Sequence, residues 1–148
     1  METFLAKSYE ELTKDELYAL LKARTDVFVV EQHCPYPELD GRDQSSLHLF
    51  CTDDSGGVRA YMRMFPKPDE PGTVRIGRVL TIDRGTGLGA RLLKEGIRTA
   101  RERLGAREIY VEAQSYAVAY YAREGFCVCS EEFLDDGIPH KQMRLKLD

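Results

Sequence analysis

The sequence has no apolar run of about 18 residues, so no membrane-spanning helix is expected. Its first residues, METFLAKSYEEL, lack the apolar centre of a secretory signal, and a cytoplasmic location is expected. Cysteine is scarce, with four residues at 34, 51, 127 and 129. In such a chain these are expected to be reduced thiols rather than a disulfide framework. Cys127-x-Cys129 lacks both the usual zinc spacing and a second pair, so no metal is expected; alternation along a strand explains the spacing. Internal repeats and low-complexity linkers are absent as well. An excess of positive charge is also lacking: Lys+Arg 21 stand against Asp+Glu 25, for a formal net charge of -4. That argues against nucleic acid as a partner and leaves room for a local basic patch that holds a small anion. What remains is 148 residues, 43% hydrophobic and 31% charged, a balance that suits a single domain over 1–148 with a buried core.

Thr13-x-x-Glu16 is a capping box. It opens an apolar stripe of Leu17, Leu20, Leu21, Val27 and Phe28 at helical spacing, although Val27-Phe28-Val29-Val30 alone also reads as a strand. A continuous helix puts Arg24 and Glu31 on that stripe, where a charge is paired or walls a cavity. Residues 32–46 read as a long loop, of a length that is often functional in a compact domain. Leu47–Thr52 and Val58–Phe65 read as strands joined by an Asp53–Gly57 turn. Val74–Thr81 reads as another strand, and a helical pattern then runs from Gly87 to Leu104 and stops at Gly105. Glu108–Ala113 alternates as a strand, with Tyr110 and Glu112 on one side. Ser115 reads as the cap of a short helix ended by Gly125; Phe126–Ser130 and Gln142–Leu147 complete the strands. The order predicts an α/β or α+β sandwich on a largely antiparallel sheet.

Between strand and helix stands Arg84-Gly85-Thr86-Gly87-Leu88-Gly89. The first amides of a helix have no intrahelical partner, and the helix dipole adds positive potential there. Such a start favours an anion. Glycines let the backbone approach it, and an arginine adds a charge-assisted contact. The Walker pattern is absent, and the glycine spacing misses the dinucleotide fingerprint.

Arg84-x-x-Gly87-x-Gly89 resembles the acyl-CoA pyrophosphate loop of the GNAT N-acetyltransferase superfamily. Tyr121-Ala122-Arg123-Glu124-Gly125-Phe126 is similar to the Tyr-x-x-x-Gly-Phe signature of that superfamily and follows in the right order. The segments RTDVFVVEQHCPYPELDGRD, RIGRVL, EAQSYAVAYYAREGF and DDGIPHKQM resemble its ElaA-type branch and cover most of the chain. One departure is the link before Arg84, where only Ile82 and Asp83 follow the strand; a tighter turn is expected there.

The resemblance implies a GNAT fold: a central mixed, mostly antiparallel sheet of about six to seven strands flanked by helices. It implies acetyl-CoA as co-substrate, with the pyrophosphate on Arg84, Gly85, Thr86, Gly87, Leu88, Gly89 and Ala90. The pantetheine arm is then expected along Val79, Leu80 and Thr81, with the Tyr121 hydroxyl toward the CoA sulfur as proton donor. The acceptor is an amine, on a small molecule or a protein, which attacks the thioester directly. A base must deprotonate that amine, and the candidates are His140, Glu31 and His48 ahead of Glu112. Each has a structural alternative: Glu31 paired with Arg24, the histidines hydrogen-bonded in the fold, Glu112 holding an arginine. Glu38, Asp40 and Asp43 form either an acidic mouth for a cationic amine or a solvated loop. Two other readings stay open: a non-catalytic acyl-CoA sensor, and a nucleotide-phosphate protein using the glycine loop. A homodimer is a common assembly for this resemblance.

Overall fold

The computed structural model describes residues 3–82 and 85–147. Helix α1 runs Lys14–Arg24, and the capping box forms as expected. Thr13 Oγ1 accepts the Glu16 amide at 3.0 Å, and Glu16 Oε1 accepts the Thr13 amide at 2.9 Å. Such reciprocal bonds satisfy donors that a helix start leaves orphaned.

The helix does not continue straight through the stripe. From Thr25 to Glu31 it widens into a π-helix. Three β-branched valines in this stretch weaken the α form. The i→i+5 pattern persists at the exit, where the Cys34 amide donates to the Val29 carbonyl at 3.1 Å. The wider turn rotates each later residue away from its α position. Val27 and Phe28 therefore stay buried while Val30 and Glu31 are exposed. This corrects the placement of Glu31 on the apolar stripe.

Among the described residues, eight strands form one sheet, seven in the order β1-β2-β3-β4-β5-β8-β6 and β7 paired to β8 off that path. They are β1 Leu5–Ser8, β2 Leu47–Thr52, β3 Val58–Pro66, β4 Thr73–Thr81, β5 Glu108–Gln114, β6 Cys127–Val128, β7 Phe133–Asp135 and β8 Ile138–Lys146. The sheet is mixed: β4 and β5 are parallel, whereas β1–β2, β5–β8, β6–β8 and β7–β8 are antiparallel. Helices α2 (Leu88–Leu104) and α3 (Val118–Ala122) complete the fold. No helix among the described residues is long and apolar enough to cross a membrane.

Two strands exceed the expected set. β1 pairs with β2 from Leu5↔Phe50 to Ser8↔Leu47. β7 forms a hairpin with β8 through Asp136 and Gly137, both left-handed with φ of 51° and 78°. An Asp-Gly turn with two positive φ values matches the twist of the flanking strands. β8 thus begins at Ile138, and His140 lies inside the strand rather than before it. Ser115 does not cap α3; it begins a 3₁₀ turn, and its hydroxyl donates to Glu132 Oε1 at 2.7 Å.

The chain groups into two compact units. The first takes the chain up to Arg63 together with Arg78–Leu92. Its core gathers Leu20, Ala23, Val27, Phe28, Phe50, Val58, Tyr61 and Leu80. The second takes Met64–Gly77 and the chain from Leu93 onward. There Ile109, Val111 and Ala113 of β5 are buried, as is Met143, which faces Val111 across the β5–β8 ladder. β3, β4 and α2 each contribute residues to both units.

Candidate active site

The start of α2 belongs to the first unit. Gly85 and Gly87 precede the helix with φ of 81° and 79°, in the left-handed region that glycine enters without penalty. Among the described residues, nothing beyond the chain neighbours lies within 4 Å of a Cβ built on either. The first turn of α2 carries no carboxylate that would compete with an anion. Thr86 Oγ1 accepts the Leu88 amide at a long 3.4 Å. Arg84, the cation expected to lead this loop, lies outside the described residues.

Upstream, Val79 and Thr81 are half-buried, whereas Leu80 packs into the core of the first unit. Leu80 therefore offers a ligand its backbone rather than its side chain. Arg78, just before them, has φ of 52° in the middle of β4. A left-handed arginine within a strand is a bulge-like feature, and no local pattern in the sequence announces it.

The acids of the long loop are engaged, so neither an open acidic mouth nor a solvated turn describes them. Arg24, fully buried, donates Nε to Glu38 Oε2 and one terminal nitrogen to Asp43 Oδ1, both at 2.7 Å. Arg63 joins Asp43 at 3.0 Å and Asp40 at 2.5 Å. Arg78 Nε donates to Glu38 Oε2 at 2.7 Å. Three guanidinium groups thus interleave with three carboxylates. Burial pushes the Asp40 and Asp43 carboxyls up, but their arginines outweigh it, holding Asp40 well below the usual carboxylate range and lowering Asp43 too. Arg63 had no place among the candidate residues; only the fold brings it here.

His48 is fully buried beside this cluster. Its Nε2 is 2.9 Å from the Asp43 carbonyl, which only accepts, so Nε2 carries the proton. Nδ1 is then the acceptor for the Tyr61 hydroxyl at 2.6 Å. Burial lowers the imidazole pKa, and the positive charges of Arg24 and Arg63 lower it further. Both ring nitrogens are committed, which leaves none for a substrate amine. Glu31 is exposed at the end of the π-helix.

The second unit holds Tyr121 and His140. Tyr121 is buried on α3, edge-on to Tyr120 at 4.9 Å and to Phe126 at 5.6 Å between ring centroids. Among the described residues its hydroxyl makes no hydrogen bond, and the residue is 7% exposed. Burial raises the phenol pKa, so the group keeps its proton at neutral pH. Gly125, with φ of 100°, ends the helix and turns Phe126 back against Tyr121. His140 Nδ1 donates to the Ile138 carbonyl at 2.7 Å, and the ring stacks on Phe133. That tautomer puts the lone pair on Nε2. Glu112 accepts the Tyr110 hydroxyl at 2.7 Å and pairs with Arg75 at 3.2 Å. Among the described residues, no three metal-ligating side chains gather.

Residues 13–147 match the family described as an acetyltransferase (GNAT) domain. The chain is 40% identical over 147 residues to a UPF0039 protein of Schizosaccharomyces pombe, covering 97% of each. It is 35% identical to the protein ElaA of Escherichia coli, over 89% of this chain and 88% of that one. The crystal structure of Escherichia coli ElaA superposes with a TM-score of 0.90, at 32% identity, over 97% of this chain and 99% of that one. An acyl-CoA N-acyltransferase from Pseudomonas aeruginosa superposes with a TM-score of 0.89, at 42% identity and the same coverage.

Proposed function

The chain belongs to the GNAT acetyltransferase family, in its UPF0039/ElaA branch, and on that premise we propose that it moves an acetyl group from acetyl-CoA to an amine nitrogen. The observation that carries the reading is the start of α2. Two left-handed glycines there have no described residue beyond their chain neighbours within 4 Å of a built Cβ, and a first turn free of carboxylates follows. Backbone amides in such a place suit a diphosphate. Arg84 adds a cation to the same loop, and Val79, Leu80 and Thr81 accompany the pantetheine arm.

The amine lone pair attacks the thioester carbonyl carbon and forms the C–N bond. The carbonyl electrons pass to oxygen, where a backbone N–H at Val79–Thr81 stabilises them, on the edge β4 presents past Arg75, the last residue of its ladder with β5. When the carbonyl re-forms, the C–S bond breaks and its electron pair stays on sulfur. Tyr121, kept protonated by its burial, donates its proton to that thiolate. His140 Nε2 takes the proton that the amine loses, its ring held by the bond from Nδ1 to Ile138. His48 and Glu31 do not share this role: the first has both nitrogens engaged, and the second is exposed at a helix end. Approximation of two bound substrates supplies an effective-molarity gain of about 7–11 kcal/mol at best.

The test is calorimetry with acetyl-CoA, followed by thiol release across a panel of small amines and lysine peptides. Binding with turnover is expected. Tyr121→Phe should lower thiol release by about 10²–10⁴-fold at unchanged acetyl-CoA affinity. Binding without turnover on any amine would leave a non-catalytic acyl-CoA module. No heat with any coenzyme A species would reject the reading, and stronger stabilisation by ATP or NAD would point to a nucleotide instead.

A further inference from the structure

We infer that Glu38 is a positioning residue, which holds Arg78 in its left-handed conformation and so sets the β4 edge at Val79–Thr81. As a statement about catalysis this rests on the acyl-CoA reading above, because that edge is where the proposed thioester arm lies.

A residue with a side chain rarely takes positive φ, and it persists there only where its surroundings over-determine it. The surroundings of Arg78 do so from two sides. Its guanidinium is gripped by Glu38 at both side chain and main chain, with Nε on Oε2 at 2.7 Å and a terminal nitrogen on the carbonyl at 3.0 Å. The same terminal nitrogen reaches Asp40 Oδ2 at 3.4 Å. On the other side, Leu80 is locked in the core, and the Ile82 amide donates to the Arg59 carbonyl at 2.8 Å. The backbone between the two anchors has little freedom left.

Glu38 can act as an anchor because it is itself fixed. Arg24, fully buried, shares the same two acceptors, with Nε on Oε2 at 2.7 Å and a terminal nitrogen on the carbonyl at 3.2 Å. Arg24 is held in turn by Asp43 at 2.7 Å. The carboxylate and carbonyl of buried Glu38 therefore tie α1 to the middle of β4, whose Arg78 lies 40 positions beyond Glu38 along the chain. The long loop works as a strut. Its acids brace the strand that carries the acyl arm, which gives them a use other than drawing a cationic amine.

The clamp makes a prediction that a general role in holding the loop does not share. Glycine adopts positive φ unaided, so Arg78→Gly should make the edge indifferent to Glu38. Four proteins are compared: wild type, Glu38→Gln, Arg78→Gly and the double variant. Amide hydrogen exchange at Val79–Thr81 is read without ligand, and acetyl-CoA affinity is read by calorimetry. Glu38→Gln alone should speed exchange at those amides and weaken acetyl-CoA about tenfold, a change of about 1.4 kcal/mol. Added to Arg78→Gly it should change neither. Equal losses in both backgrounds, or unchanged exchange in Glu38→Gln, would overturn the proposal. Coupled exchange in a wild type that binds no acetyl-CoA would keep the clamp and overturn the acyl-CoA reading. Should Glu38→Gln fail to fold, Glu38→Asp shortens the reach while keeping Arg24 neutralised, and the same outcomes decide.

Discussion

Two of the molecule's ionic clusters stand in different settings. In the first unit, Arg24, Arg63 and Arg78 interleave with Glu38, Asp40 and Asp43, and Arg24 is fully buried. In the second, Arg144 joins Glu70 at 2.8 Å and Glu108 at 2.5 Å on a half-exposed face, where Arg144 and Lys67 also cover the Tyr110 ring. Water screens the second cluster and barely reaches Arg24, Arg63, Glu38 and Asp43 of the first. A buried charge that loses its partner keeps its desolvation cost, whereas an exposed one regains solvent. The same pairings should therefore brace the fold strongly in one place and weakly in the other.

The most forceful way to break the contrast is Asp43→Ala, which strips a shared acceptor from Arg24 and Arg63. It should cost about 3–5 kcal/mol of stability, read by urea unfolding. A loss below about 1 kcal/mol would put the buried cluster in the class of surface pairs.

A smaller effect comes from pH. His48 is neutral in the fold, and burial lowers its pKa below the ordinary 6.5. Above 6.5 the folded and unfolded chains both hold it neutral, so its contribution is complete there. As pH falls, the unfolded chain takes up the proton first, and stability declines toward the lowered folded value. Unfolding midpoints between pH 7.5 and 5 should fall, and His48→Gln, which cannot titrate, should flatten that slope. Asp40 and Asp43 act further down: their contribution is present above the ordinary 3.8 and is lost below it.

The smallest effect belongs to Glu70→Gln. Arg144 and then Lys67 hold Glu70 at about 2, so the carboxylate is ionised throughout the neutral range. Even so, screening should leave the unfolding midpoint of the variant close to wild type, and the remaining difference should vanish in molar salt. A large, salt-resistant loss would erase the contrast between the clusters.

These contrasts also mark where the sequence was legible. The capping box at Thr13, the alternation of β5 and the stop at Gly105 are local patterns, and each appears where expected. β1 has only four residues and draws its stability from pairing with β2, from Ser8↔Leu47 to Leu5↔Phe50 far along the chain, so nothing local announces it. The Asp136–Gly137 turn carried a hairpin signal, but the three-residue strand before it is too short to show alternation. Arg24 was recognisable as a charge on an apolar stripe that needs a partner. Its partners, Glu38 and Asp43, lie in a loop without periodicity, and only folding selects them over Glu31.

By itself the sequence determined the family, the helix-start glycine loop and the Tyr121–Phe126 signature, because each depends on residue identities at short, fixed spacing. Only the tertiary structure decided which carboxylates meet which arginines, that both ring nitrogens of His48 are engaged, and that Arg78 takes a left-handed conformation within β4. Those outcomes depend on burial and on partners distant in the chain. The energy of a charge or a strained backbone is set by what surrounds it, and no window of neighbouring residues contains that information.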